Sequence, residues 1–172
     1  VGNITVDNIK ANGEKRFMAI FKNAAVGIFL VDREGNFFET NGAFCEMIGY
    51  TASELKSMNC NEVSHNEDKE LHIEFFDKLS RGVIEKYYLE KRFIKKDNSV
   101  IWVRLTFSAV RDDTVGNFLY SIAVVENITP QKEAEHNLEN ILSKIILDWN
   151  IDDTDREIDR QRLRTVVSNL QL

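Results

Sequence analysis

Hydrophobic positions along this chain change period several times, and each change marks an element. An apolar run, Val26 to Val31, ends at the polar cluster Asp32-Arg33-Glu34-Gly35, and a short aromatic segment, Asn36 to Thr40, follows. Two extended segments around such a turn predict a hairpin. Asn41 suits a helix N-cap, Ala43, Phe44, Met47 and Ile48 recur at helical spacing, and Gly49 suits a left-handed close. Upstream, Val1–Asn12 is polar without a clear period. A helix is expected from about Glu14 to Asn23, with Phe17, Ile20, Phe21 and Ala24 on one face.

Downstream, Thr51-Ala52-Ser53-Glu54 reads as a capping box opening a short helix to Ser57. Met58–Ser64 is irregular. Asn66 is expected to cap a helix from Glu67 to Ser80 whose apolar face is Leu71, Phe75, Phe76 and Leu79, with Gly82 ending it. Three strands follow. Ile84–Lys96 alternates as Tyr87, Leu89, Lys91, Phe93 against Tyr88, Glu90, Arg92, Ile94. Val100–Arg111 sets Ile101, Val103, Leu105, Phe107 and Ala109 against Trp102, Arg104, Thr106 and Ser108. Phe118–Glu126 places Phe118, Tyr120, Ile122 and Val124 on one face. Thr129-Pro130 then opens a helix running to about Trp149, with Leu138, Ile141, Leu142 and Ile145 at coiled-coil spacing. Asn150–Asp155 breaks that pattern, and Leu163, Val166, Val167 and Leu170 mark a last helix. The hairpin, helices and three antiparallel strands give an α+β order, ββ-ααα-βββ.

The chain is 43% apolar with eleven Phe, enough for a real core, and carries a net charge of −6. That charge argues against a nucleic-acid surface and weakly against an anionic membrane. The longest apolar run is too short to span a bilayer, and no signal peptide is visible. Cys45 and Cys60 lack the spacing of a zinc or redox pair and point to a reducing compartment. The chain starts with Val rather than Met, compatible with a piece of a longer parent.

The hairpin-to-helix stretch resembles the opening of a PAS sensory domain of the S-box/PAC type. The residues that carry the likeness are Gly27-Ile28, Val31-Asp32, Gly35, Asn41, Ala43-Phe44, Gly49-Tyr50 and Ser53-Glu54-Leu55. His65-Asn66-Glu67-Asp68 resembles the family's His-Pro-Glu-Asp turn, with Asn66 where Pro is usual. Asn127-Ile128-Thr129 resembles its Asp-Ile-Thr exit motif. The likeness covers roughly Phe17 to Glu135 and implies an α+β PAS fold, a five-stranded antiparallel sheet with short helices on one face and flanking N- and C-terminal helices. It is arranged as a flanking segment over 1–24, a PAS domain over 25–129, and a signalling helix with a tail over 130–172. The family's exit Asp commonly pairs with the Arg of a Trp-x-Arg strand, here Trp102-Val103-Arg104. With Asn127 in its place the charge pair is lost. Glu126 is adjacent, but neighbouring strand residues point to opposite faces.

No phosphate loop, HExxH or nucleophile elbow occurs, so no catalytic residue and no enzyme is read here, although a longer parent of this family can carry a histidine kinase or nucleotide cyclase domain. Flavin-binding members place a photoreactive Cys in Asn-Cys-Arg-Phe-Leu-Gln. Asn59-Cys60-Asn61-Glu62-Val63-Ser64 keeps two of those positions, and Phe93 and Val103 stand where flavin-bonding Asn residues belong. Haem-binding members ligate iron through a His on the long helix. His72 is the weak match, flanked by Glu70 and Glu74 and expected at the surface. No haem, flavin or other cofactor is therefore predicted, and no metal site. His65 is expected to be structural and His136 solvated. The family's small ligands sit between sheet and short helices. The corresponding candidates are Phe38, Phe44, Met47, Ile48, Phe76, Phe93, Leu105 and Ile122, against the plain alternative that they only fill the core.

The expectation is a cytoplasmic sensory domain of a prokaryotic signalling protein. It would sense a small ligand or mediate dimerisation. It would pass the change through Arg104, Asn127 and Thr129 to the C-terminal helix, a homodimer and a downstream effector, without nucleic acid or membrane contact in this segment. The alternatives are a ligand-free interaction module, a haem sensor, and a fragment of a histidine kinase or cyclase.

Overall fold

A computed structural model describes residues 6–148 together with Gln161 and Thr165. The chain divides into two compact units, one ending at Ile128 and one starting at Thr129. In the first, α1 (Val6–Asn23) precedes β1 (Gly27–Val31) and β2 (Phe37–Thr40). The helices α2 (Gly42–Ile48), α3 (Ala52–Leu55) and α4 (Lys69–Ser80) follow, then β3 (Lys86–Ile94), β4 (Val100–Arg111) and β5 (Phe118–Asn127). The strands form one antiparallel sheet in the order β2-β1-β5-β4-β3. The second unit contains α5 (Thr129–Asp148), on which Leu138, Ile141 and Ile145 are exposed. The expected final helix at 163–170 and the break at 150–155 lie outside the described residues.

One face of the sheet carries the core. Phe29, Val31, Phe37, Tyr87, Phe93, Val103, Leu105, Phe107, Ala123 and Val125 meet Phe44, Ile48, Leu55, Val63 and Leu79 from the helices and the loop between them. Phe29, Phe37 and Phe44 meet ring to ring, with centroids 4.7–5.9 Å apart. Burial on this scale supplies the main drive for folding.

Asn41 organises the hairpin-to-helix corner. Its side-chain oxygen accepts from Phe44 N–H and from Ile28 N–H, both at 2.9 Å, and its amide donates to the carbonyls of Phe21 (3.1 Å) and Val26 (3.0 Å). One buried side chain thus ties α1, β1 and α2 together with no polar capacity unused. Gly49 closes α2 at φ 80°, and the Thr51–Glu54 capping box forms as expected.

Several expectations fail for identifiable reasons. Helix α1 starts at Val6, not near Glu14, because Gly13 costs a helix only about 1 kcal/mol and does not stop it. Helix α3 stops at Leu55 rather than Ser57. Asn66 does not cap α4. It opens a 3₁₀ turn, Asn66–Asp68, fixed instead by Asp68, whose carboxylate accepts from Arg92 N–H (2.7 Å), Nε (3.0 Å) and a terminal guanidinium nitrogen (2.7 Å). On α4, Leu71 is 47% exposed and His72 is 1% exposed, so the inward stripe is His72, Phe75, Phe76 and Leu79. Those four positions share a helical face that Leu71 misses by a quarter turn.

The largest phase error is in β5. Val110 pairs with Tyr120 and Arg111 with Phe118, which leaves Leu119 as an extra residue. This bulge shifts the alternation, so Ser121, Ala123 and Val125 face the core, and Tyr120, Ile122 and Val124 face the other way. A second irregularity, between Leu30 and Val31, does the same for Phe38, which sits 37% exposed with its ring edge-on to Tyr120.

Candidate functional site

Within this apolar interior runs a row of polar side chains. Lys91 is in phase with Tyr87, Leu89 and Phe93 on β3, so the pleat that buries those residues also buries an amine. Lys91 is 2% exposed, and its Nζ donates to Ser64 Oγ at 2.7 Å. Ser64 Oγ in turn donates to the Cys60 carbonyl at 2.9 Å. Cys60 Sγ lies 3.6 Å from His72 Nε2, and His72 Nδ1 lies 3.1 Å from the Tyr87 hydroxyl. Five buried polar side chains therefore run along the inner face of β3.

Each element sets its member for a local reason. The backbone N–H of Cys60 bonds Gly35 O at 2.9 Å, and Asn59 Nδ2 bonds Glu34 O at 2.8 Å, which straps the Asn59–Cys60 segment to the β1–β2 turn. Gly35 holds φ 85°, and a Cβ there would stand 3.2 Å from Cys60 Sγ, so a side chain at this position is strained and presses on the thiol. Ser64 forms a bridge with Phe93, and His65 N–H bonds Arg92 O at 3.0 Å, which lays the loop along the outer edge of β3.

Burial dominates the electrostatics. It holds the His72 imidazole down to about 3, with Lys91 adding in the same direction, so the ring is neutral and carries one proton between its two occupied nitrogens. It pushes the Cys60 thiol up to about 11 although Lys91 pulls the other way, which makes the thiol a poor nucleophile at neutral pH. Burial raises Tyr87 as well. It draws Lys91 down to about 8, against the opposing influence of Cys60 and Asp68.

A cavity of about 170 Å³ reaches this row from the side of the β1–β2 turn, lined by Arg33, Glu34, Gly35, Cys60, Asn61, His72, Ile73, Phe76, Asp77 and Ser80. The buried Asn61 Oδ1 has no hydrogen-bond partner.

Of the residues expected to line a pocket, Phe44, Ile48, Phe93 and Leu105 are core, and Met47 and Phe76 pack against it. Only Phe76 lines the cavity. Phe38 and Ile122 are on the opposite face of the sheet. His72, expected at the surface, is in the row itself. His136 is exposed. Cys60, Ser64, Tyr87 and Lys91 were not among the expected ligand positions. The available signal was Lys91 standing in register with Tyr87, Leu89 and Phe93.

At the far edge of β4, Glu90, Arg104 and Glu126 stand side by side on three adjacent strands. Arg104 donates to Glu90 through Nε (3.1 Å) and a terminal nitrogen (2.9 Å), and to Glu126 at 3.2 Å. Glu126, expected to point away from Arg104 because it neighbours Asn127, is thus one of its two acidic partners, beside Glu90. It pairs with Arg104 in register, whereas Asn127 pairs with Val103. Ile128 N–H bonds Trp102 O at 2.9 Å, one residue before α5 begins at Thr129.

This fold and these motifs agree with the comparisons with known proteins. The model of the family described as PAS domain matches residues 25–130. The chain belongs to the PAS-domain family. It is similar to the probable diguanylate cyclase DgcE of Escherichia coli (strain K12), 32% identical over 137 residues that cover 80% of this chain and 12% of that protein. It is also similar to the sensor histidine kinase TmoS of Ectopseudomonas mendocina, 23% identical over 133 residues that cover 77% of this chain and 14% of that protein. The matched stretch is thus a small part of both relatives. Among solved structures, the PAS domain of an HTR-like protein from Haloarcula marismortui aligns with a TM-score of 0.59 at 21% identity, covering 71% of this chain and 97% of that one. The chain is a PAS sensory domain of the kind found in prokaryotic signalling proteins. No helix among the described residues is long and apolar enough to cross a membrane.

Proposed function

We propose that this PAS domain is a cytoplasmic input module that senses a small molecule at the Cys60–His72–Tyr87–Lys91 row. The occupancy change passes through β4 and β5 to α5, and on to an effector domain of the parent chain, a cyclase or a histidine kinase. The module transmits and does not catalyse, and it works as a homodimer through its flanking helices. The observation that carries the reading is a buried polar row reached by a cavity, inside a core whose other buried polar side chains are Asn41 and Ser121. Both His72 nitrogens already have partners, which weighs against haem, and Phe93 and Val103, buried and apolar where flavin-bonding side chains would stand, weigh against flavin photochemistry. Native mass spectrometry of the purified chain, with a visible absorption spectrum, tests this. A co-purifying colourless small molecule is expected. A bare chain that no metabolite pool shifts, or a Soret or flavin band, contradicts the reading.

A ligand-free dimerisation module is the second reading, and it rests on α1. Phe17 and Ile20 are 49% and 70% exposed on that helix, an apolar stripe suited to a second copy. Light scattering on Phe17→Glu and Ile20→Glu separates the readings. A monomer that still binds its ligand leaves sensing intact, whereas a monomer that binds none, like the parent protein, favours the second reading.

A further inference from the structure

The buried row does not close on itself, and the gap is at Lys91. Ser64 Oγ spends its own proton on the Cys60 carbonyl, so it can only accept from Lys91. An ammonium has three N–H donors. Ser64 is the one acceptor Lys91 has among the described residues, and its other close neighbour is the Phe93 ring, 5.1 Å from the charge. Among the described residues no carboxylate stands within ion-pair distance of Lys91, on which Asp68 and Lys69 act from further away with opposite sign, whereas Arg92, one residue on and facing the other way, has two. Buried charges in folded proteins are normally paired. Lys91 does not line the cavity itself: its Nζ bonds Ser64 Oγ, which bonds the carbonyl of the cavity-lining Cys60, and the wall carries the apolar Ile73 and Phe76 beside the charged Arg33, Glu34 and Asp77.

From this juxtaposition we infer that the effector is a short-chain carboxylate. Its two oxygens take the free N–H groups of Lys91 once the Cys60 side chain turns aside, and its alkyl part lies against Ile73 and Phe76. A cavity of about 170 Å³ holds the volume of roughly six waters, which limits the ligand to a few carbon atoms. The charges of Lys91 and Arg33 favour an anion over a neutral isostere, against the opposing carboxylates of Glu34 and Asp77, and contact with Ile73 and Phe76 favours a carboxylate with an alkyl part over a bare halide. The inference rests on the sensing reading above and names its ligand class.

The test uses the whole chain at constant ionic strength, at neutral pH for unfolding and across the alkaline range for the titration, with sodium butyrate, sodium acetate, butyramide and sodium chloride as probes. Thermal unfolding and the ¹³Cε titration of Lys91 are the readouts, in the parent protein and in Lys91→Met. Butyrate, and acetate more weakly, are expected to raise the unfolding midpoint and to move the Lys91 titration from about 8 toward the ordinary 10.5. Butyramide and chloride are expected to do neither, and Lys91→Met is expected to bind butyrate at least about tenfold more weakly. Equal stabilisation by butyramide, or by butyrate in Lys91→Met, overturns the carboxylate inference and leaves cavity sensing standing. No effect of any probe, with a neutral molecule co-purifying, overturns only this inference. No effect and no co-purifying molecule overturns both.

Discussion

Asn41 and Lys91 are both polar, both about 2% exposed, and both set in the interior of one small domain, yet they are treated in opposite ways. Asn41 makes four hydrogen bonds to three elements and is finished. Lys91 makes one, and carries a charge that burial disfavours. A saturated buried polar group fixes architecture, because every alternative packing breaks several bonds at once. An unsaturated one is costly in the free protein and so is available to something else. The same contrast separates the two ends of the core. The Phe29–Phe37–Phe44 corner packs ring against ring around the saturated Asn41, and the β3 row borders a cavity.

The comparison breaks most visibly at Asn41. Asn41→Ala removes the α2 cap and leaves Ile28 N–H and the Phe21 and Val26 carbonyls without their partner. A loss of about 3–5 kcal/mol in urea unfolding is expected. Lys91→Met should go the other way. The folded value of about 8 lies below the ordinary 10.5, so the charged amine opposes folding at neutral pH by about 3 kcal/mol before its hydrogen bond is counted. The variant is expected to be more stable than the parent at pH 7 by about 2 kcal/mol, and the gain should shrink between pH 8 and 10.5, where the parent sheds its buried charge.

His72 sharpens the contrast on the acid side. Its folded value, near 3, lies below the ordinary 6.5, so the unfolded chain binds the extra proton throughout that interval. Stability conferred by the neutral ring is complete above pH 6.5 and declines as pH falls toward 3, by about 2 kcal/mol on reaching pH 5. His72→Gln should flatten that slope in acid titrations followed by circular dichroism. The smallest effect belongs to the exposed ladder. Glu126→Gln should leave the denaturation midpoint nearly unchanged, while moving output in a full-length parent if the Arg104 contact matters to transmission.

Much of this fold was readable in advance because its local signals agree. Asn41, Gly49, the Thr51–Glu54 box and Thr129-Pro130 each state a boundary, and the strict alternation of Val100–Arg111 states a strand and its inward face. Period-2 reasoning failed where a single extra residue intervened, at Leu119 and at Phe38, because a bulge reverses every side chain beyond it and leaves no mark in composition. That reversal is why Ile122 and Phe38 were expected in the interior. The site was less legible than the scaffold. Sequence reasoning looks for apolar residues inside, so it selected the core and passed over Lys91, which alternation had already placed among Tyr87, Leu89 and Phe93. His72 was misplaced because Leu71 is the more hydrophobic of two adjacent helix positions. The choice between them was made by the polar partners Cys60 and Tyr87, which lie 12 and 15 residues away in sequence.

The account turns on whether Lys91 is a buried amine without a counter-charge. The direct measurement is its titration, followed through the ¹³Cε resonance assigned by loss in Lys91→Met. A midpoint near 8 in the ligand-free chain is the predicted result. A midpoint at the ordinary 10.5 would mean the amine is solvated or paired, and would contradict the reading of the β3 row as the sensing site.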